Sequence, residues 1–290
     1  MGTVKTKYKT ARDFRVAIAD RLKMISRATG EPYLDLYRKV AIDRFLARID
    51  WSRWTAKGGY ALQRRLPMAR PTKDIDLSTS DSSFFLSDNE EQKAMLAEAF
   101  QEMSRLDADD YFEFRVLVEK TLSGFGKGGI RCQVHCFIDG QAWSIFQLDA
   151  IIQDETVFPA EPLAGDTFLS FAGIEPLTLK VSIKEEVFAE KIHAYTLPRE
   201  KENTRVKDIL DLALLVQDGL NMEKARQALL GVFEIRKTHA VPPQLQLPPA
   251  SWNDVFVELI HNTGIEITFD EAFSLVSIYY DGLALKPRKR

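Results

Sequence analysis

Two aspartates, Asp74 and Asp76, stand one residue apart in an otherwise apolar stretch that reads Asp-Ile-Asp-Leu. This pattern predicts a strand in which both carboxylates point to one face, while Ile75 and Leu77 point to the core. Two carboxylates this close repel each other unless a cation lies between them, and Mg²⁺ favours one or two carboxylates together with substrate phosphates. The motif therefore predicts a metal site that also binds phosphates, with an exposed, solvated strand as the simpler alternative.

A glycine pair, Gly58-Gly59, precedes the aspartates, between a predicted strand and a predicted helical turn. Glycines at such a position let backbone amides approach an anion closely. Lys57 comes directly before the pair and is a candidate phosphate ligand, although a surface lysine is the simpler interpretation. Asp149 interrupts a later apolar strand, where an unpartnered buried carboxylate is costly. We expect it to complete a three-carboxylate metal cluster, or else to be an edge-strand acid in solvent.

The helical second half contains a further candidate group. Lys191 lies in a predicted helix, and Asp208 and Asp211 are three residues apart, on one face of the next helix. A lysine that reaches a triphosphate is the functional interpretation. Acids in the first turns of a helix are also favoured by its dipole, and Arg205 is placed to pair with Asp208. We expect His193 to be a packed or surface histidine rather than a catalyst.

Periodicity predicts an α+β chain: a mixed sheet with flanking helices, followed by an all-helical C-terminal part. The predicted helices cover residues 10–29, 32–50, 89–106, 184–197, 205–217, 221–237, 251–261 and 269–284. The predicted strands lie in WSRWTAKGG, TKDIDLSTS, YFEFRVLVEKTL, IRCQVHCFI, QAWSIFQLDAII and LTLKVS. The expected divisions are an N-terminal helical element at 1–50, a mixed α/β domain at 51–183 and a helical domain at 184–290.

Composition limits the classes of function. The 290 residues are 45% hydrophobic and 28% charged, and no apolar run approaches the ~18 residues of a membrane helix. We therefore expect a cytoplasmic protein with no membrane partner. The two cysteines, Cys132 and Cys136, are four apart in a predicted strand, too far apart for a disulfide, so we expect reduced core thiols. A net charge of −3 means that any nucleic-acid contact must be a local basic patch.

The motifs Lys-Gly-Gly-Tyr-Ala-Leu, Arg-Pro-Thr-Lys-Asp-Ile-Asp-Leu, Leu-Asp-Ala and Ala-Glu-Lys-Ile-His-Ala, with the later Lys-Asp-Ile-Leu-Asp-Leu, occur in this order. In this combination the chain resembles the AbiEii/MenT-like nucleotidyltransferase toxins of the DNA polymerase β-like superfamily. The resemblance places the family's RxTxDhDh pattern on Arg70, Thr72, Asp74 and Asp76. It places the lysine motif on Lys191 and the DxxDL motif on Asp208 through Leu212.

The resemblance implies that the α+β part is a nucleotidyltransferase-like mixed sheet with flanking helices, and that residues 51–183 form a nucleotidyltransferase-like α/β domain. It also implies an enzyme of a bacterial toxin–antitoxin system. Asp74, Asp76, Lys191 and Asp211 would be catalytic, and Asp74, Asp76 and Asp149 would hold Mg²⁺. The nucleotide would bind at the residues that surround these acids: Lys57, Gly58, Gly59, Arg70, Thr72, Lys191 and Asp208. An NTP would be the substrate, the 3′ end of tRNA the acceptor, a block of translation the outcome, and a cognate antitoxin the partner. Arg64, Arg65, Arg70 and the basic tail 286–290 would then contact the RNA backbone.

Three alternatives remain open at this point. The acceptor is a protein, which is nucleotidylated or phosphorylated on the same metal and triphosphate site. The chain is a non-catalytic module that binds a nucleotide or a partner. More distantly, the carboxylates hold a metal that activates water for hydrolysis, although the Gly58-Gly59 pair before a helix favours triphosphate binding.

Overall fold

The computed structural model describes residues 6–66, 69–70, 72–86, 88–122, 127–153, 155–200, 202–261 and 265–283. Pro67, which was expected to end a helix, and the basic tail 286–290 lie outside these residues. The chain forms two compact units. Unit 1 comprises Met1–Tyr60, Pro71–Asp154 and Pro162–Val181, and unit 2 comprises Ala61–Arg70, Glu155–Glu161 and Ser182–Arg290. The segments Ala61–Arg70 and Glu155–Glu161 thus belong to the helical unit. The predicted divisions place both of them in the 51–183 domain instead.

The order of elements follows the predicted pattern closely. The α-helices are α1 Ala11–Thr29, α2 Tyr33–Leu46, α3 Gly58–Arg65, α4 Asn89–Ser104, α5 Lys184–Thr196, α6 Val206–Gln217, α7 Met222–Arg236, α8 Trp252–His261 and α9 Phe269–Gly282. The strands are β1 Thr55–Lys57, β2 Asp74–Thr79, β3 Phe112–Leu122, β4 Gly129–Ile138, β5 Gln141–Ile152, β6 Glu161–Ala164 and β7 Thr178–Val181. Strand β6 lies in a segment for which the sequence predicts no strand before LTLKVS, and α2 ends four residues before its predicted limit.

The described strands form one mixed sheet in the order β3-β4-β5-β2-β1-β7-β6. Strands β3, β4 and β5 are an antiparallel meander, and its second turn is Asp139-Gly140, in which both residues have positive φ, as in a type I′ hairpin. Strand β2 runs parallel to β5 on one side and antiparallel to β1 on the other. The strand that carries the two aspartates is therefore central, between β5 and β1.

One face of this sheet is packed against the N-terminal helices by aromatic side chains. Phe14 of α1 meets Phe112 of β3 edge-on, and Phe45 of α2 contacts Phe114 and Phe146 with ring centroids 5.4 and 5.6 Å apart. Because side chains alternate across a strand, the residues between these aromatics point to the opposite face. That opposite face carries the aspartates.

Unit 2 is built around a helical core of its own. Buried side chains of α5, α6, α7, α8 and α9 pack together, and Leu62, Leu66 and Ala69 join them from the first half of the chain. Helix α6 is apolar over most of its circumference, with Ile209, Leu212 and Leu215 fully buried. Its two acids, Asp208 and Asp211, are buried as well. Two buried carboxylates on so apolar a helix need positively charged partners, which are described below.

One further expectation is settled by the packing. Cys132 and Cys136 are buried and form no disulfide, as predicted. None of the helices in the described part of the chain combines the length and the apolar character needed to cross a bilayer.

Candidate active site

Asp74 and Asp76 lie at the start of β2, on the same face of the strand. Ile75 and Leu77 point the other way and are 0% and 1% exposed, whereas Asp74 is exposed and Asp76 is half-buried. This is the predicted alternation. Just before the strand, Thr72 Oγ1 lies 3.4 Å from the Asp74 backbone nitrogen, so the threonine contacts the backbone at the strand's first residue.

Gly58 begins helix α3 directly beside Asp76. Its φ is +62°, and a Cβ atom at this position would lie 1.8 Å from Asp76 Oδ2. No side chain fits there, so the glycine is required both by its backbone conformation and by the closeness of the carboxylate. The amino end of a helix carries a partial positive charge and N–H groups without intrahelical partners. Asp76 thus sits where a negative charge is stabilised, and the Gly58-Gly59 turn lies next to it.

The register of four strands aligns charged residues in one row across the sheet. Asp76 of β2 is paired with Lys57 of β1 and with Asp149 of β5, and Asp149 is in turn paired with Arg131 of β4. Directly paired residues point to the same face. We call these four residues the charged row. The expectation that Asp149 occupies a strand adjacent to the aspartate pair is confirmed.

Asp149 is bound by Arg131 in the charged row. Arg131 Nε donates to Asp149 Oδ1 at 2.8 Å, and Nη2 donates to Oδ2 at 2.6 Å. This two-point geometry engages both carboxylate oxygens and is the strongest form of an arginine–carboxylate pair. The hydrogen bond to Asp149 raises the pKa of Arg131 above its ordinary value. The partner that a buried Asp149 required is therefore an arginine of the neighbouring strand.

Lys57, at the other end of the charged row, is buried rather than exposed. Its Nζ donates to Gln153 Oε1 at 2.8 Å, just past the end of β5. The alternative of a surface lysine is therefore wrong, and the role of a phosphate ligand stays a prediction. The ammonium group lies next to the side chain of Gln153, the residue that follows β5.

The donor atoms at the start of β2 suit a hard cation such as Mg²⁺. Two carboxylates of one strand face the same side, and Mg²⁺ is commonly held by one or two carboxylates plus waters and phosphates. Among the residues that the structure describes, no group of three or more histidine, cysteine, aspartate or glutamate side chains is placed to hold a metal together. The arrangement therefore fits a cation on Asp74 and Asp76, with Asp149 bound to Arg131.

The remaining predicted residues meet in unit 2, in what we call the Lys191 cluster. Lys191 Nζ donates to Asp208 Oδ1 at 2.8 Å and to Asp211 Oδ2 at 2.7 Å. Arg205 and Arg70 complete it, each 3.2 Å from one of the acids, Asp208 and Asp211 respectively. The spacing of three residues on α6 places both acids toward α5, and the pairing of Arg205 with Asp208 is confirmed.

Charge pairing determines the protonation states in the Lys191 cluster. Burial lowers the pKa of Lys191, but the charges of Asp211 and Asp208 outweigh burial and raise that pKa above its ordinary value. Burial raises the pKa of Asp208, and the charges of Lys191 and Arg205 outweigh it, so the pKa falls below its usual range. Lys191 and Asp208 are therefore held in their charged forms.

Two of the arginines that were expected to contact RNA, Arg65 and Arg70, are engaged within unit 2. Arg65 donates to the Ser182 backbone oxygen at 2.6 Å and pairs with Glu161, and Arg70 pairs with Asp211. His193 is fully buried and its Nε2 lies 2.8 Å from Thr238 Oγ1, so the expectation of a packed histidine is confirmed.

Comparison with known proteins identifies the chain. The family model described as the nucleotidyl transferase AbiEii toxin of a type IV toxin–antitoxin system matches residues 44–268, well over half of the chain. The chain belongs to this family. It is therefore a nucleotidyltransferase toxin, and the family implies an antitoxin partner. A search of curated proteins found no match.

A search of solved structures found chains with a similar fold. The nucleotidyltransferase toxin MenT4 from Mycobacterium tuberculosis is similar at a TM-score of 0.53 and 18% identity, covering 93% of this chain and 98% of that chain. A nucleotidyltransferase from Helicobacter pylori has a TM-score of 0.44 and 11% identity, covering 89% and 100% of the two chains. JHP933, also from Helicobacter pylori, has a TM-score of 0.44 and 12% identity, covering 86% and 93%. The likeness to MenT4 confirms the predicted α+β nucleotidyltransferase fold.

Arg131 is the residue of this AbiEii-family site that sequence reasoning missed. It belongs to a strand in which Arg131, Gln133 and His135 alternate with buried residues. That alternation marks a polar sheet face, which is the signal that was available. The partner of Arg131 depends on the pairing of β4 with β5, however, and register is not visible in one strand alone.

Proposed function

We propose that this AbiEii-family toxin transfers a nucleoside monophosphate from an NTP to the 3′ end of tRNA and so blocks translation. The observation that carries the proposal is the juxtaposition of Asp76 with Gly58, which places a carboxylate pair at the amino end of a helix. A phosphate chain needs such a combination of cation ligands and exposed backbone N–H groups. Asp74 and Asp76 would hold Mg²⁺, whose charge would stabilise the negative charge that develops on the phosphates.

In this mechanism the protein supplies position and electrostatics. The backbone amides at Gly58 and Gly59 bind phosphate oxygens, and their fixed direction orients the α-phosphate for in-line attack. The terminal ribose hydroxyl of the acceptor forms a bond to the α-phosphorus and loses its proton to solvent. The bond from that phosphorus to the bridging oxygen breaks, and pyrophosphate leaves. Within unit 2, ion pairs hold Lys191, Asp208, Asp211 and Arg70 in fixed positions, and we propose that this Lys191 cluster is also needed for the transfer.

The sheet face that carries the carboxylates also offers groups suited to RNA. Arg115 of β3 is exposed, and its guanidinium lies 4.9 Å from the centroid of Phe137. Lys120, also exposed, is paired in register with Arg131. Cations bind phosphates, and an arginine–aromatic pair is a surface on which an unpaired base stacks. These side chains support an RNA acceptor better than Arg65 and Arg70, which are already ion-paired.

The test is a labelling assay with the purified full chain. Each α-³²P-labelled NTP is incubated with Mg²⁺ and total tRNA, and RNA and protein are resolved on separate gels. Wild type is compared with Asp76→Asn and with Glu98→Gln, a matched change of an exposed acid on α4. A tRNA sample oxidised with periodate, which destroys the terminal ribose diol, tests the site of addition.

We expect label on intact tRNA, none on oxidised tRNA, and a loss of roughly 100-fold or more in Asp76→Asn, because a lost metal ligand removes several kcal/mol of transition-state stabilisation. Glu98→Gln should label as wild type does. Label on protein alone that depends on Asp76 would make a protein the acceptor and overturn the tRNA proposal. No label on either polymer with any NTP would overturn transfer to both.

A further inference from the structure

The three carboxylates Asp74, Asp76 and Asp149 have different surroundings on one face of the sheet. Asp74 and Asp76 start β2, where Asp74 is exposed and Asp76 lies beside the amino end of α3. Asp149, the next acid along the row, is 8% exposed and has both oxygens engaged by Arg131. The three carboxylates therefore stand in different electrostatic settings, even though register brings Asp149 directly opposite Asp76.

The Arg131–Asp149 pair is held in place from several sides. Side-chain exposure is 29% for Arg131 and 12% for Asp149, so water screens the pair only in part. Gln147 Nε2 lies 3.5 Å from Asp149 Oδ1, and the reversed orientation of the Gln147 amide would instead accept from Arg131 Nε at 3.0 Å. Either amide orientation supports the same pair.

A cation that recruited Asp149 would have to displace Arg131. Breaking a largely buried two-point pair leaves the guanidinium uncompensated, which is strongly unfavourable. Without Arg131, by contrast, Asp149 would be a third carboxylate beside Asp76, and a bound cation would relieve the repulsion between these negative charges. Arg131 thus substitutes for a cation at Asp149.

We propose that Arg131 is a positioning residue that keeps Asp149 out of the coordination of a divalent cation, so that the enzyme without nucleotide offers only Asp74 and Asp76. The inference rests on the proposed function, because it concerns the same cation. It departs from the three-carboxylate cluster that the sequence predicts. Its consequence is that the protein alone binds the cation weakly, and that the NTP phosphates supply the missing ligands.

Binding of Mn²⁺ tests this without any turnover. Free Mn²⁺ is counted by electron paramagnetic resonance in titrations of the full chain, with and without a non-hydrolysable α,β-methylene NTP. The variants are Asp76→Asn, Asp149→Asn, Arg131→Met, Arg131→Lys and the double variant Arg131→Met with Asp149→Asn. Circular dichroism and thermal unfolding check that each variant is folded.

Without nucleotide, we expect Asp149→Asn to change the Mn²⁺ dissociation constant by less than about twofold, and Asp76→Asn to weaken binding about tenfold or more. Arg131→Met should tighten binding about fivefold or more by releasing a carboxylate, and the double variant should lose that gain. Arg131→Lys keeps a cation at the position and should resemble wild type, which separates loss of charge from loss of packing.

Two results would overturn the inference. If Asp149→Asn weakened Mn²⁺ binding as much as Asp76→Asn does, Asp149 would be a direct ligand of the cation. This comparison can be made even if the Arg131→Met variant does not fold. A folded Arg131→Met variant that does not bind Mn²⁺ more tightly than wild type would equally refute the proposal that Arg131 keeps Asp149 away from the cation. Wild type that binds no Mn²⁺ even with the nucleotide analogue would instead contradict the metal-dependent function itself, so the two failures are distinguishable.

Discussion

Asp76 Oδ2 occupies the space that a side chain on Gly58 would need, since a Cβ atom there would approach it to 1.8 Å. One contact thus joins the glycine motif and the aspartate motif, which are 18 positions apart in the chain. The carboxylate and the turn are compatible only while residue 58 has no side chain. This relationship gives the first prediction.

Gly58→Ala should abolish nucleotide transfer while leaving most of the fold intact. The added methyl group displaces either the Asp76 carboxylate or the start of α3, and a misplacement of about 1 Å at a reacting centre costs roughly 100-fold in rate. Initial rates of transfer and thermal unfolding measure the two effects. Gly140→Ala is the matched control, because Gly140 has a similar φ of +64° but nothing within 4 Å of the added atom. Equal rates in both variants would show that the contact of residue 58 with Asp76 does not limit transfer.

Lys191→Met should destabilise the protein. It leaves Asp208 and Asp211, which are 7% and 0% exposed, with only Arg205 and Arg70 as cations. Breaking a buried pair typically costs 3–5 kcal/mol, and the remaining arginines reduce this to about 2–3 kcal/mol in the free energy of unfolding. Urea denaturation at neutral pH measures this free energy.

Lys207→Met, a change on the exposed side of α6, is the control, and its free energy of unfolding should stay within about 0.5 kcal/mol of wild type. An unchanged midpoint for Lys191→Met would mean that the cluster contributes no stability and acts only on the nucleotide.

Stability should rise with pH between about 4 and 6.5 because of His193. Burial, and then the charge of Arg236, lower the pKa of His193 from 6.5 to about 4. Arg236 Nη1 lies 3.2 Å from His193 Nδ1 and can only donate, so that nitrogen accepts and Nε2 carries the proton toward Thr238. Between the two values the unfolded chain binds a proton that the folded chain does not, so the folded state loses stability as pH falls through this window.

The measurement is the free energy of unfolding at several pH values for wild type and His193→Gln. The variant should show a smaller slope between pH 4 and 6.5, with the remainder carried partly by His239, whose pKa burial also lowers. His261→Gln, an exposed change on α8, should keep the slope of wild type. A slope that survives in His193→Gln would assign the pH dependence to other groups.

Local chemistry was sufficient to predict the elements and the principal candidate residues. Alternation around Ile75 and Leu77 determines which way Asp74 and Asp76 point, because successive side chains of a strand take opposite faces. On a helix, residues three positions apart share one face, which places Asp208 and Asp211 together on α6. Both features depend only on residues a few positions apart in the chain, so they can be predicted from one sequence.

Long-range pairing was decided only by the tertiary structure. Whether Asp149 meets a metal or a cation of the protein depends on the register of β4 against β5, which aligns Arg131 with it. The segments 61–70 and 155–161 join the helical unit through packing that their composition does not reveal. The sequence by itself therefore determined which carboxylates exist and which way they face. Register and packing decided which of them already had a partner, because those depend on residues brought together by the fold rather than by the chain.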